Sequence, residues 1–174
     1  MRVIISTAHD PTVLFPAPGS YDWAPGPQEL PDHPRLERSP LEARLKAAAV
    51  EVLGRRDYVL RGGDATFLVG FRAVVEPIRD PAEMFGDAPS ASASAWACDL
   101  DGVDVLERGT LVVRLLSPAT MKPMWVGICQ ADVHLDASEP TRVRRLTYLV
   151  GLLFEGLPSG NSGSGDSSVE DVTC

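Results

Sequence analysis

GTLVVRLL at residues 109–116 and MWVG at residues 124–127 are the two stretches that decide the fold of this chain. Both contain β-branched or aromatic residues that favour strands, and a loop with two prolines separates them. We predict that they form a hairpin, with strands over residues 109–117 and 124–134. Trp125 shares a strand face with small and apolar residues, so we expect its indole ring to lie in the core.

Two amphipathic helices are predicted outside this hairpin. The capping box SPLE at residues 39–42 predicts a helix with Ser39 as its N-cap and an end at Gly54 or just after it. A second helix is predicted to begin near residues 138–140 and to stop before Pro158. Apolar residues recur at helical spacing in both segments, so each helix is expected to bury one face.

The order of the predicted elements indicates the fold class. Further strands are predicted at residues 3–6, 20–24, 58–60 and 65–76, and the turn Asp101-Gly102 predicts another hairpin over residues 96–106. A strand, a helix, several antiparallel strands and a second helix predict an α+β fold, with two helices packed on one face of a mostly antiparallel sheet. We expect one domain over residues 1–158 and a disordered, acidic Gly/Ser-rich tail over residues 159–174.

The charge of the chain argues against two classes of partner. The formal net charge is −8 and the isoelectric point is about 4.8, whereas nucleic acids and anionic membrane surfaces are bound by basic proteins. No apolar run reaches the roughly 18 residues of a transmembrane helix, so we expect no transmembrane segment. The apolar start at residues 1–6 is too short for a signal peptide, which predicts a cytoplasmic chain or a trimmed form of an exported one.

We identify no catalytic residue, no cofactor-binding motif and no metal site in the sequence. The three histidines do not form a ligand frame, and no nucleophile motif or phosphate-binding loop occurs. Asp99, Asp101, Asp104 and Glu107 form an acidic cluster that fails the spacing of a calcium loop, and we expect it on the solvent side of a hairpin. A small carboxylate-dependent enzyme built on this cluster is the less favoured hypothesis.

A partner or ligand surface is predicted around Phe85, Trp96, Asp99 and Asp101, where an aromatic ring borders a loop of small residues. The partner would be a protein or a small ligand, and the oligomeric state is left open. A basic feature lies on the predicted C-terminal helix. Its three arginines could bind an anion, although such residues more often form a solvated helix face. They are Arg142, Arg144 and Arg145.

Cys98 and Cys129 lie in segments predicted as strands. Buried, unpaired cysteines are the favoured interpretation, because free cysteine behaves as a small apolar side chain. A disulfide between them is the alternative if the chain is exported, and spacing alone does not decide between the two.

Several short motifs occur in an order that resembles one known family. They are Tyr21-Asp22-Trp23, Asp57-Tyr58-Val59, the strand from Asp64 to Phe71, Gly109-Thr110-Leu111, Trp125-Val126-Gly127 and a closing helix before Pro158. Over about residues 3–158 the chain resembles the bacterial lipoprotein-like proteins grouped as domain of unknown function 4136. It departs from that pattern in two respects: Asp64 is separated from Phe67 by two residues, and the family's usual signal peptide and lipidated cysteine are missing.

The resemblance implies a non-enzymatic domain associated with the cell envelope or periplasm, acting in binding or in structure. The family carries no established reaction, so no catalytic residue can be transferred to this chain. A cytoplasmic stand-alone interaction module is the alternative, since the sequence shows no export signal.

Overall fold

The computed structural model describes residues 2–33, 36–77, 107–133, 137–158 and 169–173 of the chain. The strands are β1 (Arg2–His9), β2 (Gly19–Trp23), β3 (Tyr58–Leu60), β4 (Phe67–Pro77), β5 (Glu107–Leu116), β6 (Pro123–Val133) and β7 (Val169–Thr173). The helices are α1 (Arg38–Gly54) and α2 (Glu139–Glu155). The predicted α+β class is confirmed.

The strands form one sheet in the order β3-β2-β4-β5-β6-β1-β7. The sheet is mixed, which corrects the prediction of a mostly antiparallel one, because β2 runs parallel to both β3 and β4. The cause is the connection after β2. Parallel neighbours need a long crossover, and α1 provides it between β2 and β3. Alternating side chains reveal which face of a strand is buried, but they carry no information on its direction.

The predicted central hairpin is confirmed by β5 and β6, which pair antiparallel with Leu115 opposite Trp125. Trp125 is fully buried, as expected. Its ring stacks on Phe154 of α2 at a centroid distance of 5.6 Å, and its indole N–H donates to the carbonyl of Gly156 at 3.2 Å. One side chain therefore fixes α2 to the middle of the sheet.

The glycine two residues after this tryptophan, Gly127, is required by the packing of the indole ring. Side chains two positions apart share a strand face, and the indole of Trp125 lies over Gly127. A Cβ atom at residue 127 would lie 2.4 Å from Cη2 of Trp125 and 3.1 Å from a methyl group of Leu153. The tryptophan can occupy this position only because residue 127 has no side chain.

The helices share one core with β4, β5 and β6. Leu45 and Leu53 of α1 and Leu153 of α2 are almost completely buried. Arg56, just beyond α1, donates to the carbonyl of Phe154 and, at 3.0 Å, to that of Leu157. These bonds join the end of α1 to carbonyl groups at and just beyond the C-terminal end of α2.

The predicted helix starts have different outcomes. α1 begins at Arg38, so the prediction of Ser39 as N-cap is wrong. Glu37 is the N-cap, with an extended backbone, and it makes no side-chain capping bond. Its carbonyl accepts the first helical hydrogen bond, from Leu41 N–H at 3.2 Å, which places Ser39 inside the first turn. The end of α1 at Gly54 and the start of α2 after Ser138 agree with the predictions.

The C-terminal segment differs from the predicted disordered tail. Val169–Thr173 form β7, which pairs antiparallel with β1 and places Val172 opposite Val3. The outer edge of β1 offers unpaired backbone groups, and the backbone of Val169–Thr173 pairs with them. Residues 159–168 and the hairpin predicted at residues 96–106 lie outside the described residues.

The sheet face opposite the helices carries a charged cluster. Glu29 accepts from Arg114 at 2.8 Å and lies 3.5 Å from Arg72. The bond from Arg114 is the main reason that the pKa of Glu29 is lowered. Among the described residues, no helix is long and apolar enough to cross a membrane.

Candidate functional site

A cavity of about 150 Å³ lies between the helices and one end of the sheet. Its floor includes small side chains of the central strands, among them Ala73, Gly109 and Ala131. Its roof includes Leu41 of α1 and Leu146 of α2. Small residues below and leucines above leave a space that the core does not fill, and the lining is predominantly apolar.

Cys129 also lines this cavity. It is a free thiol with 1% exposure, and burial raises its pKa to about 11. A thiol is a nucleophile only as the thiolate, so Cys129 behaves as an apolar wall residue at neutral pH. Its predicted burial is confirmed. Cys98, its partner in the alternative of a disulfide, lies outside the described residues.

Three arginines border the cavity, namely Arg44 of α1 and Arg142 and Arg145 of α2. Arg44 donates to Oε1 of Glu139 through Nη2 at 2.6 Å and through Nε at 3.0 Å. Nη2 of Arg142 lies 3.4 Å from Oε2 of the same carboxylate. The carboxylate of Glu139 therefore bridges arginines of two different helices, and Glu139 itself lines the groove on the outer side of those helices rather than the cavity.

The register of α2 decides which of its arginines reach the cavity. Residues three and four apart lie on the same helix face, so Arg142 and Arg145 are aligned with Leu146 and Leu149 above the cavity. Arg144 is exposed and lines a separate groove along the outer side of the two helices. Of the three arginines for which a solvated helix face was the favoured interpretation, the structure places two beside the cavity and directs the third, Arg144, away from it.

Arg142 has unused hydrogen-bonding capacity beside the cavity. Its side chain is 31% exposed, yet its Nε atom is buried and has no hydrogen-bond partner within the described part of the chain. A buried donor without a partner is costly, because it loses water and gains nothing in exchange.

Glu107 corrects one prediction about the acidic cluster. It is 8% exposed and lies 3.1 Å from Nε2 of His33, whereas we expected it on the solvent side of a hairpin. The reason is the register of β5, because residue 107 shares the core-facing side of that strand with Leu111 and Val113. Its second oxygen is buried and has no partner among the described residues.

The remaining predicted site residues fall outside the described residues. They are Phe85, Trp96, Asp99 and Asp101, together with Asp104 of the acidic cluster. The ligand surface proposed around them stays a prediction. Within the described ranges, no group of three or more side chains could hold a metal ion.

Sequence reasoning missed Arg44 and the floor of the cavity. Arg44 falls beside the apolar stripe of α1 and resembles an ordinary surface residue in the sequence. Its neighbours three positions before and one position after, Leu41 and Leu45, are the signal that could have placed it at the border of a buried face. Its closeness to Arg142 follows from the packing of α1 on α2, which no local pattern encodes.

The fold and the site define a two-layer α+β domain with an apolar cavity, bordered by arginines, between its helices and its sheet. The chain belongs to the family described as domain of unknown function DUF4136, whose model matches residues 5–159. The resemblance found in the order of the sequence motifs is thereby confirmed. No curated protein sequence matches the chain.

Two solved structures have a similar fold. The PelC dodecamer from Paraburkholderia phytofirmans has a TM-score of 0.53 at 10% identity, and the match covers 90% of this chain and 98% of that one. A PDZ domain protein from Parabacteroides distasonis has a TM-score of 0.51 at 10% identity, covering 92% of this chain and 37% of that one. At this identity the likeness concerns the fold alone.

Proposed function

We propose that this chain is a non-enzymatic binding domain of the bacterial cell envelope, and that its cavity receives the apolar part of a small ligand. The observation that carries the proposal is the cavity of about 150 Å³ between helices and sheet. The space is concave and half open to solvent, and apolar side chains of both the helices and the sheet line it. Ligand sites are typically concave, mostly apolar and supplied with a few polar groups at defined positions.

The chemistry of the lining supports binding rather than catalysis. The thiol of Cys129 is held in its unreactive form by burial. Two of the arginines that line the cavity, Arg44 and Arg142, are already paired with the carboxylate of Glu139. An arginine is protonated at all physiological pH values, so it orients and neutralises anions but does not act as a general base there.

The envelope location is supported by the family's lipoprotein-like members described above. Fractionation of the native, untagged gene product, with intact-mass analysis of its N-terminus, tests it. A processed or lipid-modified form in the envelope fraction is expected. An unprocessed form in the cytoplasmic fraction would favour the alternative of a cytoplasmic interaction module.

Binding in the cavity is tested with octan-1-ol, a neutral probe with an apolar chain. The titration is followed by the methyl NMR signals of Leu146 and Leu149, and saturable shifts are expected at both. Ala131→Leu adds three carbons to the cavity floor and should weaken binding at least fivefold. Ala8→Leu makes the same change at an exposed position and should leave binding unchanged. The proposal fails if octan-1-ol does not bind the wild-type chain, or if both variants bind it equally well.

A further inference from the structure

We propose that the groove on the outer side of the two helices is a dimerisation surface, on which α2 packs antiparallel to α2 of a second copy of this chain. In this pairing Tyr148 of one copy lies over Gly151 of the other, and Arg144 lies beside Glu155. The surface is separate from the cavity, so this inference does not depend on the proposed function.

Four residues form a solvent-facing stripe along α2. They are Arg144, Tyr148, Gly151 and Glu155, and all of them line the groove. Their spacing of four, three and four residues places them on one side of the helix. The same spacing marks the seam of a coiled coil, where one helix packs lengthwise on another. The stripe therefore has the geometry that a second helix needs.

The charges of the stripe are complementary to themselves. Arg144 and Glu155 lie roughly 16 Å apart along the axis, at 1.5 Å per residue, which is too far for an ion pair within one helix. Both are exposed, and neither has an ion-pair partner among the described residues. An antiparallel second copy would place each of them beside the opposite charge. The other charged side chains of the groove already have partners: Glu51 pairs with Arg55, Glu139 with Arg44 and Arg142, and Arg56 with two backbone carbonyl groups.

Tyr148 and Gly151 form the centre of the stripe. A Cβ atom at residue 151 would meet no atom within 4 Å, so no contact in the described part of the chain requires a glycine there. Glycine in a helix interior is also less stable than alanine. Its missing side chain leaves open space on the same face as Tyr148, which is 46% exposed. Tyrosines that insert into a space on the partner are typical anchors of protein interfaces.

The aromatic contact and the ion pairs require the same register. In a twofold-symmetric pair, residue i faces residue j of the second copy, and residue j faces residue i. If Tyr148 faces Gly151 in an antiparallel pair, the residue four positions before Tyr148 faces the residue four positions after Gly151. These two residues are Arg144 and Glu155. One arrangement therefore forms both contacts, each of them twice per dimer.

Sedimentation equilibrium of the full chain tests the dimer. Loading concentrations from about 1 to about 500 μM are needed, because a small interface associates weakly. Salt at about 0.15 M screens the repulsion between copies with a formal net charge of −8. The average mass is expected to rise from 18.7 kDa towards twice that value. A mass that stays at 18.7 kDa over this range, or that rises beyond a dimer, would overturn the inference.

A truncation tests the aromatic contact. Tyr148→Ala should raise the Kd of the dimer about tenfold, because it removes the anchor at the centre of the interface. Val50→Ala is the matched control, since Val50 of α1 is equally exposed and lies outside the groove, and it should leave the Kd unchanged. Circular dichroism confirms that both variants are folded. Equal dimerisation of the two variants would contradict the assigned surface.

A charge exchange tests the register. Arg144→Glu and Glu155→Arg should each raise the Kd about tenfold, because like charges then face each other at both ends of the interface. An equimolar mixture of the two variants should recover the dimer, since opposite charges meet again at both ends. Lys122→Glu makes the same charge change in the loop between β5 and β6 and should dimerise like the wild type. The inference is wrong if the mixture stays as monomeric as each variant alone, or if Lys122→Glu has the effect of Arg144→Glu.

Discussion

The contact between Trp125 and Gly127 predicts a specific energetic coupling within β6. A methyl group added by Gly127→Ala would lie 2.4 Å from Cη2 of the indole. The ring has little room to withdraw, because it is stacked on Phe154 and its N–H is bonded to the carbonyl of Gly156. The substitution therefore forces a fully packed core to rearrange.

The magnitude follows from two opposing contributions. Overpacking a well-filled core costs about 1–3 kcal/mol. Replacing a strand glycine by alanine returns about 0.5–1 kcal/mol of conformational entropy. We expect Gly127→Ala to lower the free energy of unfolding by about 1–2 kcal/mol. At about 2–4 °C for each kcal/mol in a chain of this size, the midpoint of thermal unfolding should fall by about 2–8 °C.

The assay is urea unfolding of a double-mutant cycle with Trp125→Leu, followed by far-UV circular dichroism. In the leucine background the obstructing ring is gone, so Gly127→Ala should be neutral or slightly stabilising. The coupling energy between the two sites should be about 2 kcal/mol. Gly70→Ala on β4 is the matched control, since the added Cβ would lie 3.4 Å from its nearest neighbour, Cβ of Ala24, which is an ordinary van der Waals contact. An equal cost of Gly127→Ala in both backgrounds would refute the reasoning.

Three further results are expected. Because the pKa of Glu29 is lowered in the folded state, mainly by the bond from Arg114, its stabilising effect is present above pH 4.5 and is lost as the pH falls through its folded pKa. The difference in urea midpoint between wild type and Glu29→Gln should therefore narrow as the pH is lowered below 4.5, and a difference that stays constant on acidification would contradict this account. Cys129, with a pKa of about 11, should be alkylated slowly in native protein and rapidly in urea, as peptide mapping would reveal, and fast native alkylation would show that the cavity wall is open. Gly151→Ala in α2 meets no atom within 4 Å and should raise the free energy of unfolding by about 0.5–1 kcal/mol in thermal unfolding, and a loss of stability would contradict this expectation.

The predictable parts of the fold are those that local sequence patterns determine. The burial of Trp125 and the pairing of β5 with β6 follow from alternation within one short stretch. The pairing partners of β2 could not be read in this way, because direction and neighbour depend on where α1 returns the chain. The start of α1 was misplaced because Ser39 has the composition of an N-cap, while the backbone already becomes helical after Glu37.

The same distinction applies to the site. Helical spacing places Arg142 and Arg145 on one face of α2, and the sequence alone singled them out together with Arg144. The cavity, by contrast, exists because Ala73 and Ala131 on separate strands leave space below the helices. Arg44 belongs to the site only through the packing of α1 against α2. Contacts of this kind connect residues that are far apart in the chain, where sequence periodicity has no predictive value.

The place of β1 in the sheet has a consequence for how the protein is made. Its neighbours are β6 and β7, so Val3 lies between Ala131 and Val172. The ribosome therefore delivers this strand long before either partner exists, and its backbone stays unpaired until most of the chain has been translated. Distant pairings of this kind slow folding, because a large loop must close before any contact compensates for the lost entropy. The sheet is thus complete only after β7 has been translated.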